Sequence, residues 1–177
     1  PSIASNLATN MKKIHLVGLG LLGGSFALAA RQKFPELQVT GQDHNPQHLQ
    51  DALDLGIITE AKSIPDADAD LVILATPADT LGGLLIQTLD QIGSDTLVFD
   101  LGSTKSKLCS LVASHPKRSQ YLAAHPIAGT EYSGPKAASA TLLDRKVMIL
   151  CELEKTDLHL KEKAYRLFDA LNLKLRF

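Results

Sequence analysis

The chain has 177 residues, 45% of them hydrophobic, a formal net charge of −1 and two cysteines. That length suffices for one domain burying about 70% of its unfolded surface. The near-neutral charge implies no broad basic face for nucleic acid, and no apolar run reaches the roughly 18 residues of a membrane span. Cys109 and Cys151 share no metal-ligand spacing and sit in apolar surroundings, which reads as buried thiols in a reducing cytosol, with no metal site.

Residues 1–10, PSIASNLATN, lack the charged start and apolar core of a signal peptide, and Met11 stands where a native start would fall. They are expected to be a disordered leader or a non-native remnant ahead of the natural start. From Met11 the chain reads MKKIHLVGLGLLGGSFAL. A short apolar run, Lys12–Val17, predicts a strand. It turns through Gly18-Leu19-Gly20-Leu21-Leu22-Gly23 into a helix expected over Leu21–Lys33, which Pro35 cannot continue. Strand, G-x-G-x-x-G and helix form the dinucleotide-binding context. Gly18 permits the tight turn, Gly20 lets backbone approach a diphosphate, and Gly23 lets the helix pack closely. The helix N-terminus then faces the phosphates.

Gln38–Gln42 predicts a second strand ending at Asp43, about 20 residues past the glycines, where a carboxylate holds the adenosine ribose hydroxyls. Its charge disfavours a 2′-phosphate, so NAD is expected over NADP, with His44 alongside weakening that preference. Asn45-Pro46 starts a helix to about Leu55, stopped at Gly56 by a left-handed cap. A short third strand is expected within 57–63. Asp66, Asp68 and Asp70 read as solvated loop rather than metal ligands. Leu71–Ala75 is a continuous apolar run, as in a central parallel strand, and ends at Thr76-Pro77. A helix to about Ile92 follows. The strand Thr96–Phe99 ends at Asp100-Leu101-Gly102-Ser103-Thr104-Lys105, and a helix runs to about Ser114. Tyr121–Ala124 is a sixth strand ending at His125-Pro126, followed by a long loop. Lys146–Cys151, Asp157–Asn172 and Leu173–Phe177 read as strand, helix and strand. The alternation predicts an α/β fold of Rossmann type, a doubly wound, mostly parallel sheet over residues 11–177. Ligands in such sheets sit outside the carboxyl ends of the strands. There the sequence places the glycine turn, Asp43, Thr76-Pro77, Asp100–Lys105 and His125.

Four motifs, GLGLLGGSFAL, Ala75-Thr76-Pro77, D-x-G-S-T-K at Asp100–Lys105 and HPIAGTEYSG at His125–Gly134, resemble the prephenate and arogenate dehydrogenases of tyrosine biosynthesis. The resemblance spans nearly all of Met11–Phe177, and HPIAGTE is its most specific part. It implies NAD-dependent oxidative decarboxylation of prephenate to 4-hydroxyphenylpyruvate. The family's motif histidine falls on His125 and its motif serine on Ser103. His125 is suited to accept the carbinol proton, because a neutral imidazole has a pKa near working pH. Ser103 would orient it or the substrate hydroxyl, or else Ser103 or Thr104 caps the following helix. Cofactor contacts are expected from Gly18, Leu19, Gly20, Leu21, Leu22, Gly23, Asp43, Thr76, Pro77, Asp100 and Ser103. Substrate contacts are expected from Ser103, His125, Gly129, Thr130 and Glu131. Family members carry a further helical domain that forms a homodimer and binds the substrate side chain. That domain is absent here, so the chain is expected to bind NAD yet turn over poorly alone. Three alternatives stay open: an arogenate dehydrogenase, another β-hydroxyacid-type dehydrogenase, and a non-catalytic NAD-binding regulatory module.

Overall fold

The computed structural model describes residues 11–127 and 134–177. Its strands are β1 (Lys13–Val17), β2 (Gln38–Gln42), β3 (Glu60–Ala61), β4 (Leu71–Leu74), β5 (Leu97–Asp100), β6 (Tyr121–Ile127), β7 (Val147–Cys151) and β8 (Lys174–Arg176). They form one sheet in the order β3-β2-β1-β4-β5-β6-β7-β8. The helices are α1 (Leu21–Lys33), α2 (Pro46–Asp54), α3 (Ala78–Gln91), α4 (Lys105–Val112) and α5 (Leu158–Ala170). The order reverses between β1 and β4, because β1 pairs with both β2 and β4. That reversal is the switch point where open α/β sheets bind ligands.

The first six strands are mutually parallel, as the alternating pattern requires. The uniform alternation fails at β7, which runs antiparallel to β6. No crossover helix separates the two among the described residues, so the chain returns along the same edge. The third strand is only two residues long. The sixth is longer than expected and carries through His125 and Pro126 to Ile127.

Alternate positions on each strand feed two cores. Phe26 on α1, Phe99 on β5 and Phe168 on α5 lie on one face, with ring centroids 5.2–6.4 Å apart. Leu81, Leu85 and Leu89 on α3 cover the other face with Leu108 and Val112 on α4. On β6, Tyr121 and Ala123 join the α3/α4 core and Leu122 and Ala124 the α1/α5 core. The strand pleat therefore sends His125 to the α3/α4 face, with Tyr121. The acidic run serves β1: Asp70 accepts from the backbone N–H groups of Lys12 and Lys13 at 2.8 and 3.0 Å. Asp66 pairs with Lys62, and Asp68 with Lys13. No group of metal-holding residues occurs among the described residues. Cys109 is buried, and burial pushes its thiol up to about 11, while Cys151 is half-buried.

Candidate functional site

The three glycines of the first turn meet three different demands. Gly18 leaves β1 at φ +96°, and a side chain there would lie 2.7 Å from the Ala75 carbonyl. A Cβ on Gly23 would lie 2.5 Å from the Gly18 oxygen, so α1 sits directly against the turn. Gly20 caps α1 and has open space where its Cβ would be. No side chain among the described residues caps α1, and no acid stands in its first turn. Its end thus keeps unpaired N–H groups and the positive pole of the dipole.

A cavity of about 680 Å³ opens beside this end, lined by Gly18, Gly20, Leu21, Leu22, Asp43, Thr76 and Pro77, among others. Its size is ordinary for a small-molecule or cofactor site. The hydroxyl of Thr76 is buried in its wall without a hydrogen-bond partner among the described residues. An uncapped helix end, open space over Gly20 and an unpaired donor in the wall fit a diphosphate-bearing ligand. Leu19 contributes differently from expectation, since its side chain is wholly buried in the core and its N–H donates to Asp43 Oδ2 at 2.8 Å.

Asp43 is no solvated turn residue, because its side chain is only 7% exposed. Besides Leu19, it accepts from the Asn45 N–H at 2.8 Å, which ties the glycine turn to the start of α2. His44 and His48 stand 3.7 and 3.8 Å from its carboxylate, and both line the cavity. Asn45 caps α2 through Gln47 and His48, and Gly56 has the left-handed φ of +71°.

At the end of β5 the structure departs from the sequence reading. Asp100 is fully buried and lies outside the cavity lining. Its carboxylate accepts from the Tyr121 hydroxyl at 2.7 Å, from the Gly102 N–H at 3.0 Å and from the Lys105 ammonium. These three partners occupy it, so it anchors the Leu101–Thr104 turn rather than reaching a cofactor. Burial pushes Lys105 below the ordinary lysine value, against the pull of Asp100, and pushes the Tyr121 phenol strongly up. Ser103 is exposed at the apex of this turn. Thr104 occupies the cap position of α4, without a side-chain cap bond, so Ser103 does not cap the helix.

His125 is half-buried, and its Nδ1 is buried without a partner among the described residues. Leu74 pairs with Val17 and Asp100, and Leu122 pairs with Phe99. His125 therefore stands two residues, about 7 Å, past the level of Asp100, and three strand spacings, about 14 Å, across from β1. It and Ser103 are not among the cavity lining, which extends from β2 to Pro77 after β4. Gly134, at the far end of the HPIAGTEYSG segment, does line the cavity, and a Cβ on it would lie 3.5 Å from His48 Nε2. The segment thus begins with His125 on β6 and ends with Gly134 on the cavity wall. Gly129, Thr130 and Glu131 lie outside the described residues.

A family model described as the nucleotide-binding domain of prephenate dehydrogenase matches residues 26–176. The chain belongs to that family. The match begins just past the glycine turn, and so rests on the rest of the domain. Among curated relatives, the chain is 36% identical over 164 residues to a prephenate dehydrogenase of Bacillus subtilis, covering 90% of this chain and 44% of the relative. It is 32% identical over 148 residues to a cyclohexadienyl dehydrogenase of Zymomonas mobilis, covering 80% and 50%. The chain thus spans about half the length of the curated relatives it matches. Among solved structures, it superposes with TM-score 0.84 and 30% identity on a prephenate dehydrogenase from A. aeolicus in complex with hydroxyphenyl propionate and NAD+. That likeness covers 94% of this chain and 59% of the other. A Synechocystis arogenate dehydrogenase, with TM-score 0.82 and 23% identity, shares the fold over 93% of this chain and 58% of its own.

The sequence reading missed several residues at this site. His48 and Gln42 line the cavity, yet neither stands out as a motif residue. Gln42 immediately precedes Asp43, and that adjacency was the available signal.

Proposed function

We propose that this chain binds NAD across the Gly18–Gly23 turn and serves as the nucleotide-binding domain of an enzyme that oxidatively decarboxylates prephenate to 4-hydroxyphenylpyruvate. The observation carrying the reading is the cavity at the uncapped end of α1, with the Asp43 carboxylate on its β2 side. NAD+ bound there supplies the hydride acceptor for the reaction.

The chain's own groups do the rest. The α1 N–H groups hold the diphosphate, and Gly20 lets it approach. Asp43, already fixed by two backbone N–H groups, keeps lone pairs for ribose hydroxyls. Its charge favours NAD over NADP. His125 and Ser103 stand at the ends of β6 and β5, on the far side of the switch point from Asp43. His125 takes the carbinol proton as that carbon becomes a carbonyl. It returns the proton to the same oxygen once CO2 has left and the ring is aromatic. The atoms and charges then balance, and the imidazole ends neutral. A positioned base of this kind contributes about 10²–10⁴-fold to rate. Ser103 orients the imidazole or the substrate hydroxyl.

Arogenate, with an amine in place of the side-chain keto group, is the second reading. The cyclohexadienyl dehydrogenase relative supports it, because that name is not tied to prephenate. The test joins binding to turnover. The chain should bind NAD saturably in calorimetry. In the enzyme carrying this domain, His125→Asn should keep that affinity and cut NADH formation from prephenate at least about a hundredfold. Unchanged turnover would remove His125 as the base. Saturable NAD binding with no response to either substrate in that enzyme would favour a regulatory module.

A further inference from the structure

A buried polar chain outside the mechanism lies inside the sheet. His15, in the middle of β1, is completely buried. On the neighbouring strand, β1 register pairs it with Thr40 and pairs Val17 with Gln42. Its Nδ1 lies 2.7 Å from Thr40 Oγ1 and its Nε2 lies 2.8 Å from Gln42 Oε1. A carboxamide oxygen can only accept, so Nε2 carries the proton. Burial disfavours a second proton on the ring and pushes its pKa down. Nδ1 is then an acceptor, and the Thr40 hydroxyl donates to it. The direction of the whole chain follows: Thr40 O–H to His15, His15 N–H to the Gln42 oxygen.

Gln42 is the member of this chain that reaches the cavity, directly beside Asp43. Its backbone carbonyl accepts from the Gly18 N–H at 2.9 Å, which places the end of β2 under the glycine turn. With the carboxamide oxygen held by His15, the amino end is the one left for a ligand. That amino group has no protein partner among the described residues. We infer that Gln42 is a cofactor contact that donates its amide N–H to an acceptor oxygen of the ribose–diphosphate segment, and that His15 is the positioning residue that sets which end of the carboxamide faces the ligand. This rests on the cavity being the nucleotide site. It gives the end of β2 two complementary readers: Asp43 accepts from hydroxyls and Gln42 donates to an oxygen. Without His15 the carboxamide is free to turn end for end, and its oxygen would then oppose the same acceptor.

The test is calorimetric titration of NAD and of ADP-ribose into the wild-type chain, Gln42→Leu, His15→Leu and the double variant. Gln42 is half-exposed, so its substitution leaves the core intact. Each single change should raise Kd for both ligands about three- to tenfold, the value of one hydrogen bond. The double variant should bind no more weakly than Gln42→Leu, because His15 acts only through Gln42. A His15→Leu loss that persists in full on the Gln42→Leu background would show a merely structural histidine and overturn the inference. Wild-type binding with Gln42→Leu unaffected would overturn the contact and leave the nucleotide site standing. A wild-type chain that does not bind NAD would overturn the nucleotide site itself.

Discussion

Gly20 and Gly23 lie three residues apart, yet a methyl group at each should do opposite things. At Gly20 the backbone has φ −84° and ψ −160°, which an alanine adopts freely, and beyond its chain neighbours no atom of the described residues lies within 4 Å of the new Cβ. Gly20→Ala should cost the fold only about 0.5–1 kcal/mol, the difference between glycine and alanine at a helix cap. The methyl would instead stand over the end of α1, where the diphosphate must come close. Losing one charge-assisted hydrogen bond there, about 1.5–3 kcal/mol, means roughly a 10- to 100-fold weaker NAD Kd. At Gly23 the new Cβ meets the Gly18 oxygen at 2.5 Å and Ala75 Cβ at 3.0 Å, and backbone has to move. Overpacking of that kind costs about 1–3 kcal/mol, or roughly 2–12 °C in melting temperature for a domain of this size. Thermal unfolding and NAD calorimetry on both variants separate the two effects. If Gly20→Ala bound NAD like the wild type, or lost stability as Gly23→Ala does, the reading of the turn would be wrong.

Asp43→Asn should weaken NAD about tenfold while NADP loses less, because the repelling charge is gone; titration of both cofactors checks the ratio. Tyr121→Phe removes the hydroxyl that donates to buried Asp100 and should cost about 1–3 kcal/mol of stability, read in denaturant unfolding, with little change in NAD affinity. His15 adds a pH dependence. Its folded pKa lies below the ordinary 6.5, so the unfolded chain takes up the proton first as pH falls. Its contribution should be complete above pH 6.5 and decline below it, and His15→Leu should flatten that part of a melting-temperature profile. A profile unchanged by the substitution would contradict a buried neutral imidazole.

The fold was readable because its signals are local. Glycine placement, apolar runs such as Leu71–Leu74 and the Asn45-Pro46 helix start each follow from a few neighbouring residues. The antiparallel β7 was not readable, since Val147–Cys151 carries no mark of its direction; its pairing with β6 decides it. The same division holds at the site. Gly18, Asp43 and Thr76 are named by their motifs and meet at the cavity. Asp100 occupies an equally suggestive motif but is claimed by Tyr121, a partner 21 residues away that only the β5–β6 pairing brings near. The His15–Gln42 bond likewise depends on cross-strand register, 27 residues apart in sequence. Long-range partners decide whether a polar residue faces a ligand or the protein, and no spacing rule reveals them.

The proposed cofactor lies along the strand ends: adenosine ribose at Asp43, nicotinamide toward His125, with about 14 Å of sheet between β1 and β6. Cross-relaxation between nicotinamide ring protons and assigned histidine ring protons, in the NAD-saturated chain, measures it directly. Cross-peaks should run from the nicotinamide ring to His125 and not to His44 or His48, which should instead sense the adenosine. Nicotinamide cross-peaks to His44 or His48, with His125 untouched on saturation, would contradict it.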